Sequence, residues 1–313
     1  MILDQEKFRC PDCGFGELHT GDAELNCAVC GAGFPISRKR PILLSHDNPL
    51  FNIDDYTTAV PPPNDRRVLR RILPSPSLNL SAPKILKDMH RLLREKEGAR
   101  VLVVGGGGQR VWLSPMLTGG ASQIRMIYSD IDTRADVDLF CDAHNLPFFD
   151  ESFDAVITTA VMEHVLYPEQ VAAEIARVLK IGGLLYSELP FMQQVHEGAY
   201  DFTRYTLSGH RRLFNQFREI EVGLVAGPAT ALVWSIENFI LAFFGERRAR
   251  NVMKALTRVA FGWIKYFDHL LKDRPQAMDG ASCTFFFGRK SDTPVSDAEI
   301  IRAYVGEKHL SHV

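Results

Sequence analysis

The sequence predicts an α/β protein built on a mostly parallel sheet with helices on both faces, preceded by a small separate unit. Three observations carry this. Residues 101–109, VLVVGGGGQ, run from an unbroken β-branched strand pattern straight into four glycines. Strand and helix patterns then alternate as far as residue 190. Far upstream, Cys10, Cys13, Cys27 and Cys30 form two CxxC pairs.

Val101 to Val104 has no polar alternation, which suits a parallel strand covered on both sides. Gly105 to Gly108 then let the chain turn sharply and approach a ligand with no Cβ in the way. Taken in order, the CxxC pairs come first, each followed by a glycine that permits a tight turn aiming backbone amides at the sulfurs. Their spacing suits four-thiolate coordination of Zn²⁺ better than a redox dithiol. Residues 47–80 are rich in Pro, Asn and Asp and read as a linker, with RRVLRRIL at 66–73 as a basic, solvated turn of helix. Ile85, Leu86, Met89, Leu92 and Leu93 fall at helical spacing over 83–96, and Gly98 ends that helix before the first strand.

After the glycine turn, 110–117 predicts a short helix limited by Pro115, its N-terminal amides suited to a carboxylate. Residues 124–130 read as a second strand ending in Asp130, and 137–148 place Asp142 just past a third. The stretch 153–165 supplies a fourth strand. A helix over 168–180 starts at Pro168 and is stopped by Gly182 and Gly183. Residues 184–190 make a fifth strand, 218–225 a sixth and 281–290 a seventh. The segment 191–206 gathers His196, Glu197, Tyr200, Asp201, Arg204 and Tyr205 at the carboxyl end of the fifth strand, where open α/β sheets place their ligands.

These residues resemble the class I S-adenosylmethionine (SAM) dependent methyltransferases, in particular the type 11 branch that reads "LPF…FD…EH…VLKPGG". The match runs over about 98–222, with a last strand at 282–289. The resemblance implies a Rossmann-like seven-stranded sheet and a SAM site. In that site Gly105, Gly106 and Gly107 surround the methionine half, Asp130 meets the ribose hydroxyls, and Asp142 with Ala143 meets the adenine edge. Thr159, at the end of the fourth strand, joins the cofactor-binding set. Two positions depart from the family pattern: Val103 stands where an acid is usual, and Gln109 where the last glycine is usual. Residues 7–46, with FPISRKRPILL after the cysteines, resemble the small zinc ribbon that partners or precedes some methyltransferases. The implied division is a zinc ribbon at 1–46, a linker at 47–80, a methyltransferase domain at 81–293 with a helical insertion at about 226–280, and a tail at 294–313.

The chain has 313 residues, 46% of them hydrophobic, and a formal net charge of −2, which argues against coating nucleic acid by bulk electrostatics. No stretch reads as a signal peptide or membrane span, so the expectation is a cytoplasmic protein. Cys141 and Cys283 fall singly inside strand patterns and read as inert core thiols. Sulfonium activation makes positioning the main task, but a hydroxyl acceptor also needs a base: His196 is the first candidate, with Asp201 and His164 in reserve.

The segment 191–206, followed by an aromatic and basic insertion, resembles methyltransferases of bacterial surface-glycan and lipid-linked pathways, which implies a small-molecule, glycan or lipid-linked acceptor. The insertion itself reads either as a peripheral membrane contact or as a helical subdomain or homodimer interface burying the same aromatics. Two other functions stay open. A zinc-ribbon rRNA methyltransferase is motivated by the basic pieces at 38–40 and 66–71, and a non-catalytic SAM-fold scaffold by Val103 and Gln109.

Overall fold

A central seven-strand run organises the computed structural model, which describes residues 6–21, 23–58, 75–118 and 123–307. The strands are β1 (Leu18–Thr20), β2 (Glu24–Cys27), β3 (Gly33–Ser37), β4 (Arg40–Leu43), β5 (Arg100–Val104) and β6 (Arg125–Asp130). They continue with β7 (Leu139–Cys141), β8 (Phe153–Thr159), β9 (Leu179–Pro190), β10 (Phe217–Ala226) and β11 (Cys283–Lys290). Their order across the sheet is β1-β2-β3-β4-β7-β6-β5-β8-β9-β11-β10. From β4 to β9 neighbours run parallel, and β11 lies antiparallel between β9 and β10.

The apolar runs explain this arrangement. β5 sits between β6 and β8, with Val101 opposite both Met126 and Ala155, and every residue of β8 is buried. On one face, Ile85, Leu86, Met89 and Leu93 of the helix Ala82–Leu93 pack with Val101 and Val103. On the other, Val171 and Ile175 of the helix Pro168–Val178 pack with Leu102 and Val156. Both faces are covered, so the strands carry no polar alternation.

The helix expected over 168–180 ends earlier, at Val178, because Leu179 is already extended and pairs with Phe153. The register then jumps to Ala155 opposite Leu184, so Lys180 to Gly183 bulge out of β9. Gly182, at φ 74°, serves that bulge rather than stopping the helix.

The cysteine-bearing N-terminal strands are continuous with the main sheet. β4 pairs with β7 through Ile42 opposite Phe140 and Leu43 opposite Cys141. Side chains reinforce the join: Arg9 Nη2 donates to Asn145 Oδ1 at 3.0 Å, Asn145 Nδ2 donates to the Pro11 carbonyl at 2.7 Å, and the buried Glu6 carboxylate pairs with Arg100 and Arg125. Of the stretch read as a linker, residues 48–58 pack against the sheet through Phe51, Ile53 and Tyr56. RRVLRRIL at 66–73 lies outside the described residues.

Between β10 and β11 the chain forms the helices Pro228–Leu241, Arg247–Phe261, Asp268–Leu271 and Pro275–Asp279. The buried Asp268 carboxylate accepts from the amides of Gly227, Ala229 and Thr230 at 2.9 to 3.0 Å, capping the first of these helices from a distant point in the chain. Arg258 then ties the second helix to Glu237 of the first at 2.6 Å. No helix among the described residues is long and apolar enough to cross a membrane.

His210 pins the helix Leu207–Leu213 to the sheet, standing 3.0 Å from Ser187 Oγ on β9 and 3.2 Å from Thr284 Oγ1 on β11. Complete burial pushes its pKa down from 6.5 to about 3. The unfolded chain therefore takes up a proton first as pH falls. The stabilisation is whole above pH 6.5 and drains away toward pH 3, at up to about 1.4 kcal/mol per pH unit. His210→Gln keeps a donor and an acceptor without a titrating ring. In urea unfolding at about pH 7 and about pH 4.5, the wild type should lose more stability between the two than the variant does; equal losses would contradict the assignment.

Candidate active site

The turn after β5 is held by its neighbours rather than by its own residues. Gly105 has φ 70°, and a Cβ there would stand 2.3 Å from Val161 Cγ2. At Gly107 a Cβ would meet both Ala135 Cβ and Asp130 Oδ2 at 2.7 Å. Asp130 Oδ2 accepts from the Gly107 amide at 2.8 Å, while Oδ1 accepts from Ile131 and Asp132 amides at 2.7 and 2.9 Å. Burial nevertheless pushes the Asp130 carboxyl above its ordinary pKa. Gln109 spans from this turn to the end of β8: its Nε2 donates to the carbonyls of Gly105 and Thr159, each at 3.2 Å.

Asp142 follows β7. Its Oδ2 accepts from Asn48 Nδ2 at 2.8 Å, and its Oδ1 from the His144 amide at 3.0 Å, with His144 Nδ1 2.6 Å away. Burial by itself would raise this carboxyl; the bonds from His144 and Asn48 outweigh it and hold the carboxyl below its ordinary value.

A cleft of about 600 Å³ opens between these groups and the chain beyond β8 and β9. Gly105, Asp130, Asp142, Ala143, His164 and His196 line it, together with Leu50, Phe51, Tyr200 and Phe202. Gly106, Gly107, Thr159 and Asp201 are not on its wall. Gly107 and Thr159 act through the backbone contacts above, and Gly106 donates to the Ser129 carbonyl at 2.9 Å. Asp201 accepts from the His196 amide at 2.8 Å and is ion-paired with Arg204, whose hydrogen bond holds the carboxyl well below the usual carboxylate range.

The chain leaves β8 through Ala160, a non-glycine residue at φ 55°, a conformation favoured at functional sites where the surroundings enforce it. Beyond it stands Glu163, fully buried, its carboxyl pushed up to about 7 by that burial. Burial also lowers the His164 pKa. Glu163, Asn48 and His144 were absent from the residues singled out in the sequence. Glu163 had one signal, an acid directly after an apolar strand, within the EH pair of the family pattern. Asn48 and His144 gave none, since only the folded chain brings them to Asp142.

The four cysteine sulfurs come together at the other end of the sheet. Cys10 Sγ and Cys30 Sγ are 3.7 Å apart, as are Cys13 Sγ and Cys27 Sγ, and all four lie within 4.8 Å of one another. A tetrahedron with metal–sulfur bonds of about 2.3 Å has edges of about 3.8 Å, so the spacing fits Zn²⁺. Amides of Gly16, Val29 and Cys30 point at sulfur at 3.4 to 3.5 Å, as thiolate acceptors require. The singletons behave differently: burial raises the Cys141 and Cys283 thiols well above their ordinary pKa.

Residues 126–187, from β6 into β9, match the sequence profile of the methyltransferase domain. That stretch marks a methyltransferase domain in the chain. Solved structures similar to this methyltransferase include a protein assigned as a sarcosine dimethylglycine methyltransferase from Galdieria sulphuraria, with a TM-score of 0.43 and 15% identity over 68% of this chain and 86% of that one. Another is phosphoethanolamine N-methyltransferase 2 of Haemonchus contortus, in complex with phosphomonomethylethanolamine and S-adenosylhomocysteine. It has a TM-score of 0.43 and 18% identity, over 69% of this chain and 54% of that one. A third is the Haloferax volcanii complex between the Trm112 methyltransferase activator and a methyltransferase, with a TM-score of 0.37 and 20% identity over 68% and 95%. No curated protein matches the methyltransferase chain significantly.

The glycine turn offers a direct check on whether SAM occupies this cleft. Gly107→Ala forces a Cβ onto Asp130 and should weaken SAM binding at least about tenfold by calorimetry. Gly108→Ala has nothing within 4 Å of its Cβ and should stay within about twofold of wild type. Equal affinities in the two variants would place SAM away from this turn.

Proposed function

We propose that this methyltransferase binds SAM in the cleft between Asp130 and Asp142 and passes its methyl group to a small-molecule, glycan or lipid-linked acceptor that enters against His164 and His196. The observation that carries the reading is the meeting of both carboxylates and both histidines on one cleft wall at the carboxyl end of the parallel strands. In this reading Gly105 to Gly107 give the methionine half close access to the backbone. Asp130 meets the ribose, and Asp142 with Ala143 meets the adenine edge. Thr159 supports the turn through Gln109.

SAM brings an already activated methyl group, so the chain's part is to orient the acceptor and to keep water out. Phe51, Phe202 and Leu166 on the cleft wall supply the apolar cover. A hydroxyl acceptor must also lose its proton. His196 is the base in this reading, its loop fixed by Asp201, which is anchored in turn by Arg204, and His164 stands beside it at a ring-centroid distance of 4.9 Å.

The helices between β10 and β11 favour the lipid-linked member of the acceptor class. Phe239, Phe243, Trp263 and Leu270 are each more than half exposed, with the exposed Arg247 and Arg248 nearby in the chain. Such a surface suits peripheral contact with an anionic membrane. Trp234, whose ring centroid lies 6.2 Å from that of His196, places the same insertion beside the acceptor end of the cleft.

Incubating cell extracts with the enzyme and methyl-labelled SAM, then fractionating lipid, glycan, small-molecule and RNA pools, tests the acceptor class. Label should enter the lipid or glycan pool, and should fall at least about tenfold with Asp142→Ala, which removes a charge-assisted contact worth about 1.5–3 kcal/mol. Label confined to RNA would overturn the reading.

The residues 1–46 we read as a zinc ribbon in which Cys10, Cys13, Cys27 and Cys30 hold one Zn²⁺, followed by a linker and the catalytic domain at 81–293. Cys27→Ser should release about one Zn²⁺ per chain by metal analysis. Because β4 is hydrogen-bonded to β7 immediately before Asp142, it should also weaken SAM binding. A variant that loses the metal and keeps wild-type SAM affinity would separate the ribbon from the cofactor site.

A further inference from the structure

Glu163 lies in the turn that follows β8, and neither of its carboxylate oxygens has a hydrogen-bond partner although the side chain is 0% exposed. An ionised carboxylate is costly to leave in that condition, so its charged form calls for a positive partner. Arg204 favours the charge only through space, because its nitrogens are committed to Asp201 and to the carbonyls of Gln193, Gln194 and Thr203.

What faces Glu163 is a pair of imidazoles. His164 Nε2 lies 3.6 Å from Glu163 Oε1, and His196 Nε2 lies 3.9 Å from the same oxygen. In each ring the other nitrogen is turned to a carbonyl: His164 Nδ1 is 2.6 Å from the Tyr200 oxygen, and His196 Nδ1 is 3.2 Å from that of Gln194. A carbonyl oxygen only accepts, so each Nδ1 carries the proton, and each neutral ring presents a bare lone pair at Nε2. With the carboxyl ionised and both rings neutral, three acceptor atoms thus converge with no donor among them. A shared proton does not reconcile them, since 3.6 and 3.9 Å are beyond hydrogen-bonding distance.

The spacing is instead that of ligands around an ion. Two atoms each about 2.1 Å from a metal stand about 3.4 Å apart at the tetrahedral angle, so each imidazole is within about half an ångström of the spacing to Glu163 that a shared ion sets. A bond from Nδ1–H to a carbonyl is also the outer contact that orients metal-ligating imidazoles.

We infer that Glu163, His164 and His196 bind a divalent first-row transition-metal ion, separate from the four-cysteine cluster, with its remaining coordination positions open to the cleft that the two histidines line. The site itself stands independently of the methyl-transfer reading; only its use rests on that reading. An ion there takes an oxygen of the acceptor as a further ligand, and with the His196 lone pair engaged it takes over from His196 the task of making a hydroxyl acidic.

The test is a titration of zinc-loaded protein with Co²⁺, read by metal analysis after desalting and by visible absorption. The wild type should carry about one cobalt beyond the ribbon's zinc, with cobalt d–d bands and no thiolate charge-transfer band. Glu163→Gln should keep the ribbon's metal and lose cobalt affinity at least about tenfold. If that variant fails to fold, His196→Ala, on the more accessible cleft wall, carries the same comparison. Wild-type protein that takes up no cobalt at millimolar concentration, or a folded variant that binds it as the wild type does, overturns the site. Calorimetry with SAM on the same samples reads the other assignment: cobalt bound without any SAM binding would count against methyl transfer and leave the cation site standing.

Discussion

Asp130 accepts three backbone amides, and through the one from Gly107 it holds the turn after β5 against the end of β6. The contact is possible only because residue 107 has no Cβ, since Ala135 and Asp130 already occupy that space. The β5 and β6 side of the cleft takes its position from this closure. Gln109 reaches from the same turn to β8, so the turn fixes where β8 ends and where Glu163 and His164 begin. A carboxylate that does so much structural work keeps spare acceptor capacity, as each oxygen can take more than one donor.

Two carboxylates, Asp142 on the cleft wall and Glu163 buried behind the histidines, are set by opposite electrostatic means. Around Asp142, donors from Asn48 and His144 overcome the cost of burial and favour the charged form. Around Glu163 no neighbouring side chain donates, and burial dominates. Between them Asp201 is held ionised by Arg204, which fixes the loop carrying His196 without exposing a free charge to the cleft. A site with one satisfied and one unsatisfied carboxylate is asymmetric by construction, and groups whose environments push them apart in this way are those suited to distinct roles.

Much of this was legible in the sequence because it depends on local pattern. The strand before Gly105, the acids after the second and third strands and the paired cysteines are all stated by residue type and spacing, but the fourth strand, expected over 153–165, stops at Thr159, and the fifth, expected from 184, already starts at Leu179. What periodicity cannot carry is register and long-range contact. The bulge at Lys180 to Gly183 reads as a helix stop until Leu179 is seen paired with Phe153. Gln109, a departure from the glycine pattern, turns out to bridge two strand ends. Asn48 and Phe51, in a stretch whose composition reads as solvated linker, reach the cleft because β4 is zipped to β7. Glu163 looks like any acid after a strand until its burial is known.

The position of β11 has a consequence for how such a chain can diversify. Because β11 returns antiparallel between β9 and β10, the helices that precede it join the sheet at its edge, with β9 and β8 standing between them and β5. Segments there can lengthen, shorten or change their apolar surface without shifting the pairing of β5 with β6 and β8. The surface of that helical segment can therefore be exchanged while the strands that form the floor of the cleft keep their register.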